Sequence, residues 1–426
     1  PPASDTSSTL TGVNGMALDD ASDPFQQVVY LQEGDAPPER VVVSWVGVKT
    51  TVQDGLLYFF YRVDIRIINA SDFSVYKEYA LNESDYFNGG GLEDHTLISD
   101  GQGIIFILTG DVQNNTSYYR VIKIDTNTDN ITTLVGPPAS AVNDKEPQRA
   151  RGVYMNGYII LTDSISVVKI DADSMTEVSR QSIPAQSWTD EKKEQSSLIV
   201  CDETSCFMCE CVVWGNRITT DKNRFNTRIY EINPTTLSLN QVVDDNFYTY
   251  IKYFGYITIY NRGGIVIDGV PYFGIERYDQ TLDDPPRTSD QIIFRIFTNN
   301  GYQYDVLPAL ALSNYGNNIE ITLGSNNGNL LCIWGESRRK SSMVAFDPPT
   351  GNVIKSKIYD EWENPEVQST SNYLYLYHDE AYLEQVDPVD FSIIKSLDMN
   401  TLVNSDYDSL RKNSGFLSIF NQSRYA

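Results

Sequence analysis

The sequence predicts an all-β protein whose strands form a closed ring of four-stranded sheets, and three observations carry that prediction. A short phrase recurs in which an apolar strand ends at Asp or Asn, a small polar turn follows and a second strand leaves. Hydrophobic runs, each entered from a polar or turn residue, stand upstream of most copies. Long helical periodicity is absent, apart from a turn or two expected around Ser187 to Gln195 and Tyr407 to Lys412.

The phrase pivots on Asn69, Asp125, Asp171, Asn233, Asp347 and Asp387. Three residues on stand Asp72, Thr128, Ser174, Thr236, Thr350 and Asp390, and five residues on Ser74, Asn130, Thr176, Ser238, Asn352 and Ser392. Such side chains bond to nearby backbone, so the chain reverses without stranding polar groups, and each copy reads as a hairpin turn. The entering strands are β-branched or aromatic, as in Tyr118 to Ile124, Ser166 to Ile170 and Met343 to Phe346. The leaving strands, such as Val353 to Ile358 and Ile393 to Leu397, alternate more loosely.

Upstream lie Gly103 to Leu108, Gly157 to Leu161, Ser197 to Val200, Gly255 to Tyr260, Asn329 to Trp334 and Asn372 to Tyr377. They are apolar on both faces and belong between stacked sheets. A weaker stretch before each, such as Arg151 to Tyr154, supplies a fourth strand. From Asn69 to Asp387 the pivots span 318 residues, and a degenerate copy at Phe294 to Gly301 fills the long gap. The mean interval of about 53 residues fits a four-stranded blade with variable loops. The fold expected is a β-propeller of seven blades, with six or eight left open. The last run, Gly415 to Phe420, needs partners, and Val28 to Leu31 or Val41 to Val46 would close the ring and remove its open edges.

The phrase resembles the blade repeat of YVTN-type and quinoprotein-like β-propellers, which carry the signature variable, apolar, Ile-Asp, two residues, Thr-Gly, apolar. Copies at Asp125, Asp171 and Asp347 match best, and only the last keeps the Thr-Gly pair, as Thr350-Gly351. The resemblance covers residues 40 to 421 and implies the fold. Families sharing it include oxidoreductases, lyases, lactonases and pure binding scaffolds, so it implies no single activity.

Residues 1–24 are Ser/Thr/Pro-rich and are expected to be a mobile arm, with residues 25–426 as one propeller domain. The start at Pro1 fits a chain from which a secretory signal has been removed, or one cut at that point. The chain is 12% aromatic and 41% hydrophobic, enough for a sizeable core, and no run reaches the roughly 18 apolar residues of a membrane span. A net charge of −25 repels nucleic acid, whose phosphates need clustered cations. The one dense basic patch, Arg338-Arg339-Lys340, reads as a loop decoration.

Asn-x-Ser/Thr sequons fall at Asn69, Asn82, Asn114, Asn115, Asn130 and Asn421, at turns and loops where a glycan has room. Cys201, Cys206, Cys209 and Cys211 crowd into eleven residues, read here as a loop insertion near 201–211 stapled by disulfides of undetermined pairing. Only Cys206 and Cys209 have zinc-like spacing and no His is near, which weighs against a metal. Cys332 reads as a buried strand thiol.

The two histidines sit in Glu93-Asp94-His95 and His378-Asp379-Glu380, in loops assigned to one face of the ring. Asp94, His95, His378 and Asp379 are weak metal candidates, with solvated loops as the plainer reading. No nucleophile elbow is present. Calcium is considered at Asp125 to Asn130, at Asp19 to Asp23 and at Asp283-Asp284, but the first lacks Gly and Glu at the required places and reads as a turn. No other cofactor is predicted. The tyrosine-rich stretches Phe247 to Phe254 and Tyr272 to Tyr278 fit strand packing better than sugar platforms.

The reading favoured is a secreted, N-glycosylated scaffold binding extracellular proteins or glycans, or assembling into a coat or filament, without covalent chemistry. The alternative is a propeller enzyme, a hydrolase, lyase or oxidoreductase working at the central mouth. The scarcity of His leans against an enzyme.

Overall fold

A computed structural model gives the protein as a seven-bladed β-propeller of antiparallel sheets. It describes residues 16–18, 29–31, 40–53, 56–86, 95–113, 116–137, 150–163, 165–184, 192–214, 222–250, 257–279, 291–306, 319–336, 340–360, 366–369, 372–378, 382–398, 401, 409–410 and 416–420.

Blade 2 is built of Thr96–Ser99, Ile104–Gln113, Thr116–Asp125 and Asn130–Val135, and blade 3 of Arg151–Met155, Tyr158–Thr162, Ser166–Asp171 and Thr176–Ser182. Blade 4 holds Lys192–Cys201, Cys206–Trp214, Lys222–Ile232 and Leu239–Tyr250. Blade 5 holds Ile257–Ile267, Val270–Asp279, Gln291–Thr298 and Gly301–Val306. Blade 6 comprises Ile319–Asn326, Asn329–Glu336, Lys340–Phe346 and Val353–Asp360, and blade 7 Glu366–Ser369, Leu374–His378, Tyr382–Val386 and Ile393–Asp398.

Blade 1 closes the ring. Its Arg40–Gln53, Leu56–Asn69 and Val75–Asn82 come from the N-terminal side, and Phe416–Phe420 pairs with the inner edge of Arg40–Gln53, from Arg40 opposite Phe420 to Ser44 opposite Phe416. Ser409–Leu410 continues that edge against Gly47 and Val48. The closing strand is therefore the one containing Val41 to Val46. Val29–Leu31 pairs with Met16–Leu18 instead, and the rest of 1–24 lies outside the described residues.

Burial follows position. Ser166–Asp171 and Leu374–His378 are buried almost throughout, whereas outer strands such as Asn130–Val135 alternate between exposed and half-buried. Seven apolar clusters fill the seven seams between blades. Val63, Ile65 and Ile67 meet Ile105 and Ile107 between blades 1 and 2, and Val41, Ile68 and Phe73 meet Tyr375, Tyr377 and Leu383 between blades 1 and 7.

Two features depart from expectation. The runs at Ser197 to Val200 and at Gly255 to Tyr260 belong to first strands, not second ones, because the second strands of blades 4 and 5 are Cys206–Trp214 and Val270–Asp279. The helical turns expected near 187–195 and 407–412 are not formed where the chain is described: Lys192–Cys201 and Ser409–Leu410 are strands with backbone partners. Among the described residues the one α-helix is Glu83–Tyr86.

All six phrases are the hairpins between third and fourth strands. In the Asn69 copy the pivot N–H donates to Ser74 O at 2.9 Å and Phe73 N–H returns to Asn69 O at 2.8 Å, and Asn233, Asp347 and Asp387 repeat the pattern. Closing the loop puts the residue four after the pivot at positive φ: Phe73 61°, Asp129 59°, Met175 53°, Leu237 60°, Gly351 67° and Phe391 60°. That conformation favours Gly, and each non-glycine here has compensation. Phe73, Leu237 and Phe391 are buried, Met175 packs between blades 2 and 3, and Asp129 accepts from Lys77 and Tyr79. Gly351 is required twice over, since a Cβ there would stand 2.7 Å from the Tyr304 ring.

These turns also tie neighbouring blades together. Lys77 Nζ of blade 1 donates to Thr126 O in the turn of blade 2 at 2.5 Å, and Lys123 of blade 2 to Ala172 O in the turn of blade 3 at 2.8 Å. Lys169 of blade 3 reaches Pro234 O at 2.8 Å, Tyr304 of blade 5 reaches Pro348 O at 3.3 Å, and Asn326 of blade 6 reaches Pro388 O at 2.9 Å. Lys395 of blade 7 bonds Ala70 O and Ser71 O in the turn of blade 1. The acceptor one residue after the pivot is the same in every case.

Candidate functional site

The histidines come first because any metal or proton chemistry would use them. His95 immediately precedes the first strand of blade 2 and is fully buried. His378 ends the second strand of blade 7, also buried; its ring stacks on Tyr382 with centroids 5.6 Å apart, and Nε2 stands 3.6 Å from Glu384 Oε1. Antiparallel alternation puts both at the face opposite the hairpin turns, with blade 1 between their blades. They are therefore part of the blade ends, not solvated loop residues, because apolar strand neighbours carry them inward. Asp94 and Asp379 lie outside the described residues. Among the described residues no group of three or more His, Cys, Asp or Glu is gathered to hold a metal ion.

Glu384 was not singled out in the sequence, although an acid within Tyr382–Val386 was a visible anomaly. It is buried, receives Ser396 Oγ at 3.4 Å and faces His378. Tyr359 of blade 6, in the same seam, donates to Phe391 O at 2.7 Å. Burial, then the nearby Glu384 and Asp390 carboxylates, pushes the Tyr359 phenol upward, so it stays a neutral donor.

The cysteines form a blade hairpin and not a loop insertion. Cys201 and Cys206 pair across the tight turn between the first two strands of blade 4 and are joined by a disulfide. Cys209 and Cys211 are free, buried and on the face packed against blade 5, with Phe207, Ile229, Phe273 and Phe297. Burial pushes the Cys209 thiol well above its ordinary pKa, helped by its hydrogen bond with Cys211, so it is inert in the closed ring. Glu210, between them in sequence, points the other way and pairs with Arg228, which also donates to Pro184 O at 2.9 Å. Cys332 is a buried thiol between blades 5 and 6.

Of the sequons, Asn82 and Asn130 are exposed, the first donating to Asp85 at 3.2 Å and the second opening the outer strand of blade 2. Asn69 is half-buried with its amide engaged, donating to Ser74 Oγ at 2.9 Å and accepting from Arg40 Nε at 3.4 Å. Asn114, Asn115 and Asn421 lie outside the described residues, as do Asp19 to Asp23 and Asp283-Asp284. At Asp125 the turn itself uses the carboxylate: Oδ1 accepts from Asn127 N–H at 2.9 Å and Oδ2 from Thr128 Oγ1 at 2.8 Å. Those bonds hold its pKa below the usual carboxylate value.

The surface feature that stands out is apolar. On blade 6, Val353 is 59%, Ile354 55% and Ile358 47% exposed; on blade 7, Val389 is 75%, with Ile393 and Ile394 near 45%. Five of these six sit on Val353–Asp360 and Ile393–Asp398, the outer strands of their sheets, whose far edges have no partner strand among the described residues. Val389 lies in the turn beside them.

No protein-family model matches the chain, and no curated protein does either. Solved structures similar to it include BamB from Moraxella catarrhalis, at 10% identity over 78% of this chain and 82% of that one, with a TM-score of 0.38. The complex of KlAtg21 with the coiled-coil of AgAtg16 is another, at 12% identity over 83% of this chain and 98% of that one, with a TM-score of 0.42. At that distance neither carries an argument about function. No helix among the described residues is long and apolar enough to cross a membrane.

Proposed function

We propose that this protein is an extracellular, N-glycosylated scaffold that binds another protein at the outer rim of blades 6 and 7 without covalent chemistry. The observation that carries this reading is the run of exposed Val353, Ile354, Ile358, Val389, Ile393 and Ile394 along two adjacent sheet edges. Exposed apolar side chains on an open edge suit strand addition or side-on docking by a partner. The burial of both histidines and the engagement of Asp125 within its turn support binding over catalysis at those positions. The exposure of Asn82 and Asn130 supports glycan attachment on blades 1 and 2, away from the apolar edges of blades 6 and 7.

The test is cross-linking mass spectrometry on protein from its native source, beside a double variant Ile354→Glu, Ile394→Glu. Cross-links from a partner should concentrate on Lys355, Lys357 and Lys395 and vanish in the variant. Contacts mapped to other blades, or a variant that binds as well as the parent, would overturn the assignment. Glycopeptide mapping should find Asn82 or Asn130 modified; both unmodified would remove the extracellular part of the proposal.

A further inference from the structure

Every blade presents its fourth strand as an outer edge, and native sheets blunt such edges with bulges and charges. Six of the seven blades do both. The register between third and fourth strands shifts in blades 1, 3, 4, 5, 6 and 7, as between Ala345 and Phe346 in blade 6. Each of those outer strands also carries charge, from Asp305 alone in blade 5 to Lys355, Lys357 and Asp360 in blade 6.

Blade 2 does neither. Its outer strand, Asn130–Val135, keeps an unbroken register with the third strand, from Asp125 opposite Asn130 to Arg120 opposite Val135. It contains no charged residue and no proline, and Ile131, Thr132, Thr133 and Val135 are β-branched. Ile131 packs in the seam with blade 1 and Leu134 in the seam with blade 3, so the strand is held on both faces. Gly136 N–H donates to Tyr119 O at 2.9 Å, and that bond fixes the alternation along the strand. The backbone groups of Asn130, Thr132 and Leu134 turn to the third strand, and those of Ile131, Thr133 and Val135 turn to the open side. That side has no partner strand among the described residues.

We propose that this edge pairs with the same edge of a second copy of the chain, antiparallel about a two-fold axis at Thr133. Outward-facing residues meet in such a ladder, and this register lets all three of each copy pair: Thr133 stands opposite its own counterpart and Ile131 opposite Val135. Threonine pairs and β-branched pairs suit facing positions, and no like charges are brought together. Charge also selects the partner. At a net charge of −25 two copies repel, and this is the one outer strand on which they meet without adding a charged side chain to the contact. The interface goes beyond the binding reading of blades 6 and 7 and does not depend on it, because their bulged, charged edges offer side chains and not a straight ladder. Asn130-Ile131-Thr132 is also a sequon at the first residue of this strand, so a glycan there occupies the pairing edge and confines the dimer to chains without it.

The experiment is analytical ultracentrifugation, over a concentration series, of the chain made in a bacterial periplasm, where the disulfide forms and Asn130 stays unglycosylated. The parent should dimerise reversibly. Thr133→Pro removes an outward N–H and no bond of the internal ladder, and should weaken the dimer about thirtyfold, the loss of the two hydrogen bonds made at the symmetric position. Thr133→Lys keeps the backbone donor but sets two like charges opposite each other, and should also weaken the dimer, which covers a proline variant that fails to fold. Chain carrying a glycan at Asn130 should sediment as a monomer. A parent that stays monomeric up to about 100 μM, folded Thr133 variants that dimerise as tightly as the parent, or dimerisation of the Asn130-glycosylated chain would overturn the proposal. So would a dimer lost in Ile354→Glu, Ile394→Glu and kept in the Thr133 variants.

Discussion

Single lysines do more in this ring than the acidic composition suggests. Lys169 is 8% exposed, lies 3.9 Å from the centroid of the Tyr158 ring in its own blade and donates to Pro234 O of the neighbouring one, so its hydrogen bond crosses the seam. Lys169→Met keeps most of the aliphatic stem and removes the donor, and should cost about 2 kcal/mol, measured by urea denaturation. The turn carboxylates set the response to acid. Backbone N–H donors first, then Ser or Thr hydroxyls, hold Asp72, Asp125 and Asp171 below the ordinary carboxylate value, and for Asp390 the Ser392 hydroxyl leads. A folded-state pKa below the unfolded one stabilises the protein above the unfolded value, and that stability is lost as pH falls through the folded pKa. The urea midpoint should therefore fall between pH 6 and pH 3, and Asp125→Asn with Asp171→Asn should flatten that dependence. Asn69 and Asn233 hold equivalent pivots without a charge and should contribute nothing to it.

The hairpin was the element most legible in the sequence, because its side-chain chemistry is local. Ser, Thr and Asp at the third place bond within the turn, so their recurrence was enough to locate six of the seven third-to-fourth strand connections. What was not legible was the positive φ at the fourth place, since Phe73, Met175, Leu237 and Phe391 carry no local mark of it. Their tolerance depends on neighbouring blades. Phe391 makes this testable: it is fully buried, so Phe391→Ala should cost about 3–5 kcal/mol. Phe391→Gly should cost about 1 kcal/mol less than Phe391→Ala, the reverse of the usual order in a sheet, because glycine alone relieves the left-handed backbone. Urea unfolding of the two variants decides it. The cysteines were misread for a related reason. Their density suggested a stapled loop, but alternation along Cys206–Trp214 sends Cys209 and Cys211 to one face as core residues, leaving only Cys201 and Cys206 to pair. Their sequence separation of 5 closes a short loop, so Cys201→Ser with Cys206→Ser should cost only about 2 kcal/mol by urea denaturation.

At the scale of the molecule, periodicity gave the ring, its seven blades and its closure, whereas the site could not be read the same way. Burial of His95 and His378 is decided by residues far away in the chain, and the exposed rim of blades 6 and 7 becomes visible only once each outer strand is known to be outermost. The inter-blade ties lay in plain view as lysines two before or eight after a pivot, but their meaning required knowing which blade stands next. Closure is the property most exposed to test. A chain ending before Phe416 loses the inner strand of blade 1 and leaves Val41 to Ser44 unpaired on that side. Its thermal unfolding should lose the single cooperative transition expected of residues 1–426, read by circular dichroism and calorimetry together.

That same closing strand imposes an order of events on a ribosome. The edge on Arg40–Gln53 emerges long before Phe416–Phe420, the strand that covers it. At ordinary elongation rates the two are separated by tens of seconds, during which that edge stays open to a strand from a neighbouring nascent chain. The protein is thus expected to need a holding partner, or dilute synthesis, for that interval, long after most of its blades can already have folded.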